Sequence, residues 1–162
     1  QRGEHIGPLV SRLQYNKVQA LIQTGIDEGA RLVAGGLGKP EGLETGHFTK
    51  PTVFADVDNQ MTIAREEVFG PVLVMIPFDS EQQAIDLAND TPYGLAAYVN
   101  SNNEALVDRV TSQLRAGMVR VNGASHLFSS PFGGYKQSGN GREWGAFGFD
   151  DYLEIKAISG GG

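Results

Sequence analysis

The sequence predicts an α/β fold: a mostly parallel sheet with helices on both faces. Three observations carry this reading. Strand and helix signals alternate through the middle of the chain, the order that yields right-handed crossovers and parallel strands. The strand segments are near-continuous apolar runs, which fits a sheet covered on both faces. Each helical segment opens on a Ser-x-x-Gln/Glu signature and is stopped by Gly or Pro.

The elements follow in order. Ser11-Arg12-Leu13-Gln14 matches a capping box, in which the Ser hydroxyl and the Gln amide satisfy orphan backbone groups reciprocally. Val18, Leu21, Ile22, Gly25 and Ile26 then recur at helical spacing, and Gly29 suits the left-handed residue past the helix end. A short run from Arg31 to Ala34 precedes a Gly/Pro loop from Gly35 to Gly46, and Thr49 to Ala55 reads as a strand. Val72 to Phe78 reads as a buried strand. Ser80 to Gln83 opens a second helix, to about Asn89, which Pro92 and Gly94 break. Leu95 to Val99 is another apolar strand. Ser101 to Glu104 is a third capping box, with Leu106, Val107, Val110 and Leu114 behind it and Gly117 as the stop. Met118 to Val121 is the next strand. In Asp151 to Ile158, Leu153, Ile155 and Ala157 point one way and Tyr152, Glu154, Lys156 and Ile158 the other. That period-two pattern predicts a half-buried terminal strand. It follows the Gly-rich stretch from Gly133 to Gly148, so it is expected to leave the main body.

Composition bounds the function. The 162 residues are 40% hydrophobic, enough for one ordinary domain. Thirteen Lys+Arg against nineteen Asp+Glu give a formal charge of −6, which argues against nucleic acid as a bulk partner. No apolar run reaches the ~18 residues of a membrane span. Gln1 to His5 are polar and lack a signal-peptide core, so no membrane partner and a cytoplasmic location are expected. The absence of cysteine excludes a disulfide framework, thiolate metal sites and a cysteine nucleophile in this chain. His5, His47 and His126 are not spaced for zinc and read as loop or surface histidines, so no metal site is expected. Ser125 and His126 are neighbours without a G-x-S-x-G elbow, which leaves a hydrolase reading weak.

The stretch from Gly133 to Arg142 looks like a phosphate cradle but fails both stricter tests. Asn140-Gly141 stand where a Walker motif needs Lys and Ser/Thr, and Trp144 replaces the last Gly of a dinucleotide fingerprint. It reads instead as a flexible or close-packed loop. Glu66-Glu67 precede Val68-Phe69-Gly70-Pro71. A carboxylate can accept two hydroxyl donors at once, which suits a ribose diol. An aromatic two residues on can cover an adjacent flat ring.

Four motifs in register carry a family resemblance. Arg65-Glu66-Glu67-Val68-Phe69-Gly70-Pro71 resembles the E-x-F-G-P motif of the NAD(P)-dependent aldehyde dehydrogenases. Thr91-Pro92-Tyr93-Gly94-Leu95-Ala96-Ala97 resembles a second signature. The run from Pro131 to Gly139, with Gly141-Arg142-Glu143 after it, resembles a third. Gly7-Pro8-Leu9-Val10 matches the segment downstream of the family's nucleophile. The likeness runs from Gly7 to about Ile158 and covers about the last third of a family member.

The resemblance implies a piece of an enzyme that oxidises a small-molecule aldehyde to a carboxylic acid with NAD or NADP, through a cysteine thiohemiacetal. The cysteine, the general-base glutamate, the oxyanion-hole asparagine and the main dinucleotide-binding domain would lie upstream, leaving this chain inactive alone. It implies that residues 1–148 are the C-terminal portion of the catalytic domain, and 149–162 an oligomerisation strand and tail. Glu67 would bind the nicotinamide-ribose hydroxyls and Phe69 would pack on that ribose and ring. Gln14 and Lys17 match positions on the adenosine side of the cofactor. Phe132 would line the aldehyde pocket. Arg142 and Glu154 match a pair that ties the active-site region to a subunit interface, to which the terminal strand with Leu153 and Ile155 belongs. The implied assembly is a homo-oligomer, dimer or tetramer. The alternative reading is a stand-alone interaction module that binds a partner through its terminal strand.

Overall fold

Ser11 opens α1 (Arg12–Asp27) from an extended backbone, and its hydroxyl accepts from the Gln14 amide N–H at 3.2 Å. This computed structural model describes residues 6–160, so His5 and the last two glycines of the tail lie outside the described residues. The chain divides between Asp79 and Ser80 into two units, a division inside the segment expected as 1–148.

In the first unit, Gly29 closes α1 at φ +92°, as predicted. Val18 and Ile22 on one face of α1 are fully buried against Phe54, Val57, Ile63 and Ala30. The lack of a side chain at Gly25 lets Ile63 approach, since a Cβ there would sit 3.3 Å from it. β1 (Arg31–Ala34) pairs antiparallel with β2 (Thr52–Ala55) through a bulge, and β2 pairs parallel with β3 (Val72–Val74). A short helix, α2 (Thr62–Arg65), lies between β2 and β3.

Only half of the first capping box forms: the Ser11 arm is present, but the Gln14 side chain turns to two carbonyls more than fifty residues away. The strand expected from Thr49 starts at Thr52, because Pro51 has no N–H to give a ladder. The strand expected from Val72 to Phe78 ends at Val74. Beyond it the Met75 N–H still reaches the Phe54 carbonyl at 2.8 Å, but Pro77 ends regular pairing. This strand is also half-covered rather than buried, with Leu73 58% exposed.

In the second unit, Ser80 caps α3 (Glu81–Asn89) by accepting from the Gln83 N–H at 3.2 Å. β4 (Ala96–Val99) and β5 (Met118–Val121) pair in parallel, Ala96 opposite Met118 and Val99 opposite Val121. α4 (Glu104–Gln113) is the crossover between them. Its cap is Asn103, not Ser101: the Asn103 side chain accepts from the Leu106 N–H, while the Ser101 hydroxyl accepts from the Asn103 N–H, both at 3.1 Å. Asn caps a helix as well as Ser does, so the turn settles one step later. A 3-10 turn (Lys136–Ser138) and α5 (Phe147–Asp150) follow.

The fold class is α/β with parallel pairings, as predicted. The strands form a three-stranded and a two-stranded sheet, with β1 the antiparallel exception. The terminal strand is a correction: residues 151–158 carry no strand pairing, and Ile155 is 99% exposed. A strand exists only where another backbone takes up its hydrogen bonds, and among the described residues none does so. No helix among the described residues is long and apolar enough to cross a membrane.

Candidate functional site

The loop after α2 carries the first candidate groups. Glu28 accepts from the Thr62 N–H at 2.7 Å and from its hydroxyl at 2.6 Å, fixing the start of α2. Glu66 caps the other end, its N–H bonded to the Thr62 carbonyl at 2.9 Å. The next residues run along α1. The Gln14 amide nitrogen donates to the Val68 carbonyl at 2.9 Å and the Phe69 carbonyl at 3.1 Å. The Lys17 ammonium donates to the Glu67 carbonyl at 3.0 Å. Gly70 then lies on Val18, where a Cβ would meet the valine Cγ2 at 2.7 Å.

This backbone is not extended. Phe69 has φ +51°, a left-handed conformation that costs a residue with a side chain on the order of 1–2 kcal/mol. The result is a fixed loop with two outward side chains. Glu67 is exposed, and the Phe69 ring is 67% exposed. The structure therefore brings Gln14, Lys17, Glu67 and Phe69 together. An outward carboxylate beside an outward aromatic ring can accept a diol and cover a flat ring. Those are the demands of a nicotinamide riboside, and the residues present fit it.

The second set of groups lies in the second unit. Phe132 and Glu143 form an isolated antiparallel bridge, each N–H bonded to the other's carbonyl at 2.7 Å. The Phe132 ring meets Trp144 at 5.0 Å between centroids, and Trp144 also meets Phe128 at 4.7 Å and His126 at 5.0 Å. His126 meets Phe132 edge-on at 6.1 Å. His126 is a loop residue, as read, but its ring is packed rather than free. Its Nε2 is buried without a hydrogen-bond partner. A concavity of about 290 Å³ runs along this loop past Ser125, His126, Leu127 and Pro131. Another of about 310 Å³ is lined by Phe132, Ser138, Arg142 and Tyr152 among others. The aromatic cluster was not singled out from the sequence, and Phe128 and Trp144 are sixteen residues apart with no shared periodicity.

The Gly-rich stretch is a close-packed loop, not a phosphate cradle. The Tyr135 N–H bonds the Gly94 carbonyl at 2.8 Å, the Gln137 N–H bonds the Pro92 carbonyl at 3.0 Å, and the Ser138 hydroxyl accepts from the Gly94 N–H at 3.1 Å. Lys136, at φ +53°, donates to the Asn89 and Thr91 carbonyls at 2.7 and 3.0 Å. The segments Thr91–Gly94 and Tyr135–Ser138 are thus zipped to each other. Arg142 donates from one nitrogen to the carbonyls of Gly134, Asn140 and Gly141 at 2.9–3.1 Å and lies over the Tyr135 ring. No ion pair joins Arg142 to Glu154. Glu154, Leu153 and Ile155 are exposed on the extended tail.

Comparison with known proteins places this geometry. The model of the "Aldehyde dehydrogenase family" matches residues 1–158. A "3-succinoylsemialdehyde-pyridine dehydrogenase" from Pseudomonas sp is 56% identical over 156 residues, 96% of this chain and 33% of the relative. A "Putative aldehyde dehydrogenase" from Staphylococcus saprophyticus is 50% identical over 160 residues, covering 99% and 34%. Among solved structures, an aldehyde dehydrogenase from Bartonella henselae superposes with TM-score 0.94 at 54% identity, over 98% of this chain and 33% of that one. A mutant of aldehyde dehydrogenase C from Pseudomonas syringae, complexed with NAD+ and octanal, superposes with TM-score 0.91 at 53% identity, over 94% and 31%. The chain spans about a third of the length of these relatives. Because the family match runs the length of the four motifs and the backbone follows theirs, this chain belongs to the aldehyde dehydrogenase family.

Proposed function

We propose that the chain supplies the nicotinamide-side and substrate-side residues of an NAD- or NADP-dependent enzyme that oxidises a small-molecule aldehyde to a carboxylic acid. The observation that carries this reading is the pair of outward groups, Glu67 and Phe69, on a loop bonded to α1 at three consecutive carbonyls. The bound cofactor supplies a hydride acceptor. Glu67 accepts hydrogen bonds from the two ribose hydroxyls and so sets the angle of the nicotinamide ring. Phe69 covers the ribose and ring and excludes water from that side. Phe132 lines the aldehyde pocket, its ring fixed by Trp144 and by the bridge to Glu143. The attacking thiolate comes from a part of the enzyme outside this cysteine-free chain, so these residues alone give no turnover.

Residues 1–148 belong, on this reading, to the catalytic domain, and 149–162 to an oligomerisation segment in a cytoplasmic homo-oligomer, dimer or tetramer. Arg142 ties the Gly134–Gly141 loop together, and Glu154, Leu153 and Ile155 meet the neighbouring subunit. Support for the cofactor class comes from relatives solved with NAD+, from Pseudomonas syringae and Mycobacterium tuberculosis.

The test is Glu67→Gln in the complete enzyme. The amide keeps the size but weakens the diol contact, and misplacement by about 1 Å costs ~100-fold in rate. Hydride transfer should slow far more than cofactor affinity falls, with a larger isotope effect from deuterated aldehyde in single-turnover experiments. A chemical step matching wild type would overturn the role of Glu67.

A further inference from the structure

We infer that Gln14 and Lys17 are positioning residues: they fix the backbone of residues 67–69 and thereby aim Glu67 and Phe69, instead of binding the cofactor's adenosine. This inference rests on the reading of Glu67 and Phe69 given above. Gln14, Lys17 and Val18 stand at i, i+3 and i+4 on α1, so they share one face. All three meet the same loop, the first two through hydrogen bonds and Val18 through its packing on Gly70.

The Gln14 amide commits both of its donors to this loop. A carboxamide nitrogen has two N–H bonds. Both are engaged in Gln14, at 2.9 and 3.1 Å to neighbouring carbonyls. In an extended segment successive carbonyls point to opposite sides, so one side chain could not take both. The left-handed Phe69 is what turns them to the same side. Gln14 and this backbone conformation therefore fit each other. Lys17 secures the preceding carbonyl at 3.0 Å. With three consecutive carbonyls held by α1, the side chains of Glu67 and Phe69 are left facing outward. Gln14 acts through Glu67 and Phe69 without donating to the cofactor.

The test uses the complete enzyme and four variants: Gln14→Met, which keeps the length and removes both donors; Lys17→Met and Lys17→Arg, which remove and keep a donor; and Glu67→Gln. Gln14→Met should slow single-turnover hydride transfer roughly tenfold, the scale of two lost hydrogen bonds. The affinity for AMP, which has no nicotinamide, should stay at the wild-type value. Lys17→Met should follow in the same direction and Lys17→Arg should restore the rate. The double variant Gln14→Met with Glu67→Gln should be slowed by less than the product of the two single effects, because both act on the same loop. Without cofactor, amide hydrogen exchange across residues 66–71 should quicken in Gln14→Met. If AMP binding weakens in step with the rate, Gln14 is an adenosine contact and the inference is wrong. Multiplying effects in the double variant, or unchanged exchange in 66–71, would also overturn it. A normal rate in Glu67→Gln would sink the functional reading instead, so the two failures are distinguishable.

Discussion

Gly70 illustrates how one residue positions chemistry it does not touch. Its α-carbon rests on Val18, a fully buried, β-branched side chain that is stiff at χ1. A methyl added at position 70 would overlap the valine, so Gly70→Ala should destabilise the first unit by about 1–3 kcal/mol, the usual cost of overpacking. Adding Val18→Ala opens the space, so the double variant should lose less than the sum of the two singles. Urea unfolding of the four proteins checks this, and strict additivity would show that the contact is relieved by backbone movement. The E-x-F-G-P motif thus divides its labour. Gly70 permits close approach to the core, Phe69 takes a strained turn, and Glu67 is left outward. The outward groups could be nominated from residue type alone. The partners of the intervening carbonyls could not, since Gln14 lies 54 positions from Val68 and had a local capping role equally open to it.

At the scale of elements, helix boundaries follow local chemistry and their mutual fixing does not. Ser11, Ser80 and Asn103 cap their helices within one turn of sequence. By contrast α3 and α4 are joined by a two-point pair, Arg109 donating to the two Glu81 carboxylate oxygens at 3.0 and 2.8 Å. That hydrogen bonding, then the charge of Arg109, holds Glu81 below the ordinary carboxylate range. A depressed carboxylate contributes stability above the ordinary range and loses it as pH falls through its folded value. The pair is at the surface, where such contributions are small. In Arg109→Ala the Glu81 titration, followed by NMR of its carboxyl carbon, should move up to the ordinary range. An unmoved titration would assign the shift to another cause. α4 itself buries no residue fully, although Leu106, Val107, Val110 and Leu114 recur at helical spacing.

Toward the C-terminal end of the chain, where residues 151–158 have no strand pairing, large apolar side chains recur at the surface. Phe147, Phe149, Tyr152, Leu153, Ile155 and Ile158 are all more than half exposed. A terminus with an alternating apolar face gains most from adding to a sheet edge, where its N–H and C=O groups and its side chains are covered together. Removing the residues after Phe149 from the complete enzyme should therefore convert the oligomer to monomers or aggregates. Sedimentation velocity of the intact and shortened proteins reads this directly, and an unchanged oligomer would remove the assembly role of the segment.

The amino-acid sequence by itself determined the α/β class, the three capped helices, the parallel pairing of β4 with β5 and the four motifs by which the family can be recognised. The caps and motifs depend on residues a few positions apart, and the parallel pairing follows from the strand–helix–strand order with short connections. The tertiary structure alone decided that Gln14 serves a distant loop, that Thr91–Gly94 and Tyr135–Ser138 are one zipped unit, and that His126 packs on Trp144 and Phe132. It also decided that residues 151–158 have no strand pairing here. The reason is the same in each case. A carbonyl, an aromatic ring or a strand edge accepts many partners equally well, so its pairing is set by which segments the fold brings within about 3 Å of each other, and no local pattern records that choice.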